Sequence, residues 1–156
     1  MKIGDMFQMY QGNSLELMRM NPSSSSGINF VSRTSLDNGV SAQVKKIDGI
    51  LPFVGGLITV AMGGSVLSSF VQTKPFYTAF HIMVLQPMQD MTLDEKLFYC
   101  MCIKKNDYRY NFGRQANKTL KDIEVPDVVP QWVSLAFNDT IQKNIMLMEN
   151  LVSKNT

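Results

Sequence analysis

Cysteine, histidine and tryptophan are scarce in this chain, and each scarcity closes a class of chemistry. The 156 residues include two cysteines, one histidine and one tryptophan. Cys100 and Cys102 stand two apart, which makes neither a Cys-x-x-Cys redox pair nor a four-ligand zinc set. They read as buried thiols in a reducing cytoplasm. His81 has no second histidine with which to build a metal triad. It lies in the apolar run Phe76 to Leu85 and reads as a structural residue satisfied by a backbone partner. Ser65 and Ser68 lack a His and an acid at a recognisable spacing. Neither Gly55-Gly56 nor Gly63-Gly64 is followed by the Gly-Lys-Ser/Thr of a P-loop, and there is no glycine-rich dinucleotide fingerprint. Asp90, Asp94 and Lys96 echo the tail of a nuclease metal site, but four residues across a helix start hold carboxylates together poorly. The opening residues lack a continuous apolar signal core, and no stretch approaches ~18 uninterrupted apolar residues, so no membrane span is expected. Catalysis has little support, no cofactor is expected, and binding is the default.

Net charge is only +2, so any surface for nucleic acid must be local. One stretch qualifies. Lys104 to Lys121 carries Lys104, Lys105, Arg109, Arg114, Lys118 and Lys121 against the single acid Asp107. Tyr108, Tyr110 and Phe112 alternate with Arg109, Asn111 and Gly113, which in an extended segment places rings on one side and polar groups on the other. Gly113 ends the alternation, and Arg114, Gln115, Asn117 and Lys118 follow in an expected turn. Arg and Lys neutralise phosphates or read guanine, and Asn and Gln read adenine. The plainer reading is a solvated basic loop with half-buried rings.

The remaining chain reads as strands followed by helices. Met1 to Tyr10 is a short entry segment that buries Ile3, Met6, Phe7 and Met9. Leu15 to Met20 is a short apolar piece, and Pro22 to Gly27 is a flexible loop. Strands are expected at Ile28–Val31, Val40–Ile47, Leu57–Met62, Val66–Gln72 and Phe76–Leu85. Asp37-Asn38-Gly39 and Asp48-Gly49 mark turns. Gly63-Gly64-Ser65 permits a tight turn or a close backbone approach. Thr92 and Glu95 form a capping box for a helix over about 93–106, with Leu93, Leu97 and Met101 on one face and Phe98 and Cys102 beside it. Pro126 and Pro130 mark a connector, which Trp132 is expected to pack onto the body. A second helix begins near Ser134, with Ile141, Ile145, Met148 and Val152 at 4-3-4 spacing. The fold class is α+β.

Taken in order, several of these residues resemble the target recognition domain of the DNA specificity subunits of Type I restriction–modification systems. Similar domains occur in fused Type II restriction–methylation enzymes. The resemblance begins with Ile3-Gly4-Asp5-Met6-Phe7 and Gly12. Next come Ile28-Asn29-Phe30-Val31-Ser32-Arg33-Thr34 with Asn38-Gly39-Val40, then Gly56-Leu57-Ile58-Thr59-Val60-Ala61 with Gly63-Gly64-Ser65. It continues through Val84-Leu85-Gln86-Pro87, Leu97-Phe98-Tyr99, Tyr110 and Gly113-Arg114-Gln115 to Leu120-Lys121-Asp122-Ile123-Glu124-Val125-Pro126. It covers residues 3–126. It implies a curved, mixed or mostly antiparallel sheet with flanking helices that reads a short half of a bipartite duplex DNA target. It also implies that a methyltransferase subunit, and a nuclease or translocase subunit, supply the chemistry. The sequence departs from the family where a Pro-Leu-Pro…Glu-Gln signature is often found. Here Val125-Pro126-Asp127-Val128-Val129-Pro130-Gln131 lacks the glutamate. One recognition domain is present rather than two, as expected of a fragment, a half-subunit that dimerises, or part of a fused enzyme.

These readings divide the chain into a recognition domain at 1–126, a connector at 127–133 and a C-terminal helix at 134–156. The expected DNA-binding residues are Arg33, Arg109, Arg114, Gln115, Asn117 and Lys118, then Ser32, Thr34, Asn38 and Ser65. Arg114 and Gln115 are the base readers, because their side chains offer bidentate geometry. Lys45, Lys46, Lys104, Lys105, Lys118 and Lys121 meet phosphates. The bland alternative for Arg33 is a salt bridge to Asp37 or Asp48. The alternative for the whole chain is a protein-interaction module that docks through Ile141, Ile145, Met148 and Val152, as a homodimer or with another partner, and touches no nucleic acid. No enzyme activity is expected of the chain itself, since Asn21-Pro22-Ser23-Ser24 is not the Asn-Pro-Pro-Tyr of a DNA methyltransferase.

Overall fold

The computed structural model describes residues 1–23, 26–110 and 119–155. Strand β1 (Phe7–Gln11) follows a single helical turn, α1 (Ile3–Met6). The other strands are β2 (Ile28–Val31), β3 (Val40–Val44), β4 (Leu57–Ala61), β5 (Ser69–Gln72), β6 (Phe76–Thr78) and β7 (Ile82–Pro87). Helix α2 is Leu93–Lys104 and helix α3 is Trp132–Lys154. The α+β class is as expected. The strands divide between an antiparallel sheet of order β1-β7-β4-β5 and a mixed sheet of order β3-β2-β6, in which β2 and β6 run parallel.

Alternation along the strands builds three layers, because successive side chains point to opposite faces. Ile58, Val60, Val71 and Leu85 face α2 and share a core with Phe98, Tyr99, Cys100 and Ile103. Val84 and the half-buried Leu57 point the other way and pack with Val31 and Phe76 of the mixed sheet. Phe53 stacks on Phe76 at 5.3 Å between ring centroids. Phe30 and Tyr77, paired across β2 and β6, face outward with Val44 into a third cluster under Leu15, Met20, Ile47 and Ile50. The antiparallel sheet is therefore covered on both faces, which explains why β4 reads as a continuous apolar run.

Four local expectations change. The run Phe76–Leu85 is two strands in two sheets, joined by a turn at Phe80-His81. The strand expected from Val66 begins at Ser69, because Leu67 takes φ +61° in the preceding loop. Helix α2 has the expected capping box, with the Thr92 N–H donating to Glu95 Oε2 at 2.8 Å. Its buried face is Phe98, Tyr99, Cys100 and Ile103, however, and Leu93, Leu97 and Met101 each stay about two-fifths exposed, at 43, 41 and 42%. Asp107–Tyr110 forms a 3-10 turn rather than an extended segment.

The chain from 1 to 3 runs beside 123–125. The Ile3 N–H donates to the Ile123 carbonyl and the Val125 N–H to the Met1 carbonyl, each at 2.9 Å. Helix α3 leaves this body at once. Asp94 at the start of α2 accepts from Ser134 Oγ at 2.6 Å and from Thr92 Oγ1, and Trp132 sets its ring edge-on to Phe98 at 6.4 Å. Val133 is the one buried residue of α3.

Candidate nucleic-acid interface

One end of the two sheets gathers the loops. The C-terminal ends of β1, β2, β4 and β6 and the N-terminal ends of β3, β5 and β7 lie there, as the pairs Gln11–Met83, Ala61–Ile82, Val60–Ser69, Val31–Val40 and Val31–Thr78 require. Loops 32–39, 62–68 and 79–81 project from this end, and backbone hydrogen bonds tie them together. Ser65 N–H donates to the Arg33 carbonyl at 3.4 Å, and Met62 N–H to the His81 carbonyl at 2.8 Å. Gly64 takes φ +61°, and a Cβ there would stand 3.0 Å from both Cβ and O of Arg33. The close approach expected of the Gly63-Gly64-Ser65 turn is thus to another loop of this chain. Helix α2 ends here too, with Lys104 Nζ donating to the Val66 carbonyl at 3.5 Å and paired with Asp107 at 3.1 Å.

Loop 32–39 is sharply turned. Asp37, Asn38 and Gly39 all adopt positive φ, the left-handed region that Asn and Gly tolerate best. Asn38 Nδ2 donates to the Val71 carbonyl at 3.1 Å, and its own carbonyl accepts from Gln72 Nε2 at 2.8 Å. Asn38 is therefore an anchor that fixes the loop to β5. Thr34 Oγ1 accepts from Leu36 N–H at 3.1 Å. Arg33 is exposed, and among the described residues it pairs with neither Asp37 nor Asp48. With no ion pair among the described residues, a guanidinium on a fixed loop can meet an external anion or a guanine edge.

The expected residues thus fall into groups. Ser32, Arg33, Thr34, Asn38, Ser65 and Lys104 come together at the loop end. Lys105 and Arg109 follow from α2, both exposed. Arg109 Nε donates to Tyr108 Oη at 3.1 Å, which holds the guanidinium pKa above its ordinary value, and the guanidinium carbon lies 5.6 Å from the Tyr108 ring centroid. Lys45 and Lys46 sit past the far end of β3, where Lys45 N–H donates to the Asn21 carbonyl at 2.9 Å. Lys121 packs against Gly4 of α1, which leads into the Phe7 end of β1, opposite the loops. Neither cluster of lysines joins the loop end. Arg114, Gln115, Asn117 and Lys118 lie outside the described residues.

One further reading is corrected. His81 is not a residue of an apolar strand. It is exposed in the β6–β7 turn at φ +57°. That turn contains no Gly, Pro, Asn or Asp, so the usual signal for it is absent. The carboxylate of Asp94 and the amine of Lys96 diverge. Asp94 is held below the ordinary carboxylate range by its bonds to Ser134 and Thr92, while Lys96 Nζ donates to the Gly56 carbonyl at 2.8 Å. Cys100 is buried and Cys102 half-buried, and burial pushes the Cys100 thiol up to about 12. Among the described residues no cluster of three His, Cys, Asp or Glu side chains is assembled, and no helix is long and apolar enough to cross a membrane.

Fold and loop end together define an α+β binding module with its polar loops at one end and a helix projecting beside it. The family model for the Type I restriction modification DNA specificity domain matches residues 1–130. The chain belongs to that family. Its fold is similar to the S subunit of a Type-I restriction-modification system from M. genitalium, with TM-score 0.57 and 13% identity over 80% of this chain and 32% of that one. A chain from work on complex assembly and conformational transition of the type I R-M system gives TM-score 0.65 and 14% identity, over 99% of this chain and 40% of that one. The HsdS subunit from Thermoanaerobacter tengcongensis gives TM-score 0.65 and 13% identity, over 97% and 39%. The chain therefore spans 32 to 40% of the length of these structures, and at such identities the likeness concerns the fold. No match was found among curated proteins.

Proposed function

We propose that this domain reads one short half of a bipartite duplex DNA target and directs a DNA methyltransferase subunit, with a nuclease or translocase subunit, to that site. The chain itself contributes no chemistry to methylation or cleavage. The observation that carries the reading is the convergence of Arg33, Ser65 and Lys104 at one loop-bearing end, in a chain whose family is defined by DNA specificity. Arg114 and Gln115 remain the proposed bidentate readers, with Lys104, Lys105 and Lys118 of the same stretch as phosphate contacts and Arg109 as a further DNA contact. Lys45, Lys46 and Lys121 are distant from the loop end, so they belong to this reading only if the duplex extends along the flank of the body.

The test is selection from a randomised duplex pool at two salt concentrations. One short motif that survives the higher salt is the expected result, with a log–log salt slope near −0.9 for each phosphate neutralised. Arg114→Ala should cost about 1–3 kcal/mol at one base position. No retained DNA at either salt would remove the proposal.

A second reading rests on α3. Its Leu135, Ile141, Ile145, Met148, Leu151 and Val152 are all exposed. At ~1.5 Å per residue the helix extends roughly 35 Å, most of it clear of the body. Such an apolar helix calls for a partner helix, from a second copy of this chain or from another specificity domain. The two readings are compatible, since one uses the loop end and the other the projecting helix.

A further inference from the structure

We propose that the Phe80-His81 turn is a second base-reading tip, adjacent to Arg33. His81 would hydrogen-bond a purine edge in the major groove, and Phe80 would contact a thymine methyl group. This inference rests on the DNA-reading function proposed above and adds residues to it.

The argument starts from backbone conformation. His81 sits at φ +57° in a tight turn between β6 and β7. Glycine fills such a position without steric cost, and a histidine there costs of the order of 1 kcal/mol. Little side-chain packing offsets this, because His81 is exposed and the ring it meets, that of Phe80 at 6.5 Å between centroids, is itself 44% exposed. The backbone around the pair is held from several sides. Asn13 and Thr78 exchange two hydrogen bonds, at 2.7 and 3.1 Å. Gly12 N–H donates to the Ile82 carbonyl at 2.9 Å, Ala79 N–H to the Val31 carbonyl at 2.8 Å, and the His81 carbonyl accepts from Met62. Gly12 is needed for this clamp, since a Cβ there would lie 2.1 Å from Thr78 Oγ1. Two exposed rings are thus displayed on a rigid frame, and the frame is bonded to the loops that carry Arg33 and Ser65. Rigid presentation of a few polar and apolar groups is what base readout requires, because a small displacement loses the hydrogen bond. An imidazole offers one donor and one acceptor, which suits the N7 and O6 acceptors or the N6 amino group of a purine, and a phenyl ring suits the thymine methyl.

The decisive variant is His81→Gly, because the turn accepts glycine more readily than histidine. Wild-type chain and variant are each taken through the duplex selection, with melting temperature measured alongside. The expected result is a melting temperature equal to or above wild type, the same salt slope, and discrimination at one or two adjacent base pairs reduced roughly 5- to 150-fold. Phe80→Ala should relax preference for thymine beside that position. An unchanged motif for both variants overturns this inference and leaves the DNA-reading function standing. A wild-type chain that selects no motif overturns both.

Discussion

Asp94, at the start of α2, is a structural joint. Its carboxylate accepts from Ser134 Oγ at 2.6 Å and from Thr92 Oγ1, which joins the first turn of α2 to the first turn of α3. These bonds favour the charged form and lower its pKa. A carboxyl whose folded-state pKa lies below its unfolded value stabilises the fold at neutral pH, and the contribution fades as pH falls through the lowered value. Ser134→Ala should therefore lower the melting temperature at neutral pH, and the gap from wild type should narrow as the pH drops below about 4. Thermal melts from pH 7 to 3 measure this, and a gap that stays constant across the range would assign the Ser134 effect to packing. The capping box at Thr92 and Glu95 was legible in the sequence because its chemistry is local. The Ser134 bond was not, because its partner stands 40 positions away.

At the scale of elements, the same contrast runs through strands, helix and loops. β2 and β3 were legible because the Asp37-Asn38-Gly39 turn separates them, and β4 because it is a continuous apolar run. The break within Phe76–Leu85 was hidden, since it lies in a positive φ at His81 that side-chain chemistry does not announce. Helix α2 is apolar on most sides, so the Leu93, Leu97, Met101 stripe looked like its core face. The true core face includes Tyr99, whose hydroxyl donates to the Pro126 carbonyl at 3.0 Å, and lies beside Lys96. Two glycines at positive φ separate backbone cost from loop placement. Gly49 has open space around a would-be Cβ, whereas Gly64 meets Arg33. Gly49→Ala and Gly64→Ala should each lose about 1–2 kcal/mol from the left-handed backbone, and only Gly64→Ala should also weaken DNA retention, as Arg33→Ala should. Denaturation and binding isotherms on both variants check this, and equal DNA affinity in the two would detach Arg33 from the interface.

For the whole molecule, fold class and family were readable from an ordered series of short motifs, each degenerate alone. The grouping of charges was not. A net charge of +2 and a run of basic residues give no sign that Lys104 belongs with Arg33, or that Lys45 and Lys121 lie elsewhere. Only the register of two sheets and the length of α2 place them. The same partition separates the loop end from α3. Ile145 is 42% exposed and part of no core, so Ile145→Asp should change the melting temperature little, since exposed substitutions typically fall within about 0.5 kcal/mol. It should instead weaken association, read as a lower mass by sedimentation at matched concentrations, with the selected DNA motif unchanged. A variant that loses the motif along with the association would mean that the two functions are coupled.

The pairing of residues 1–3 with 123–125 has a consequence for inheritance. Where the path into a body and the path out of it run side by side, the residues between them return to where they began, and here they also grip the exit through Asp94 with Ser134 and Phe98 with Trp132. A replacement of the intervening residues would have to keep Asp94 and Phe98 for the helix beyond to keep its place. A change confined to the loop end, at the other end of α2 from Asp94, would leave that grip as it is.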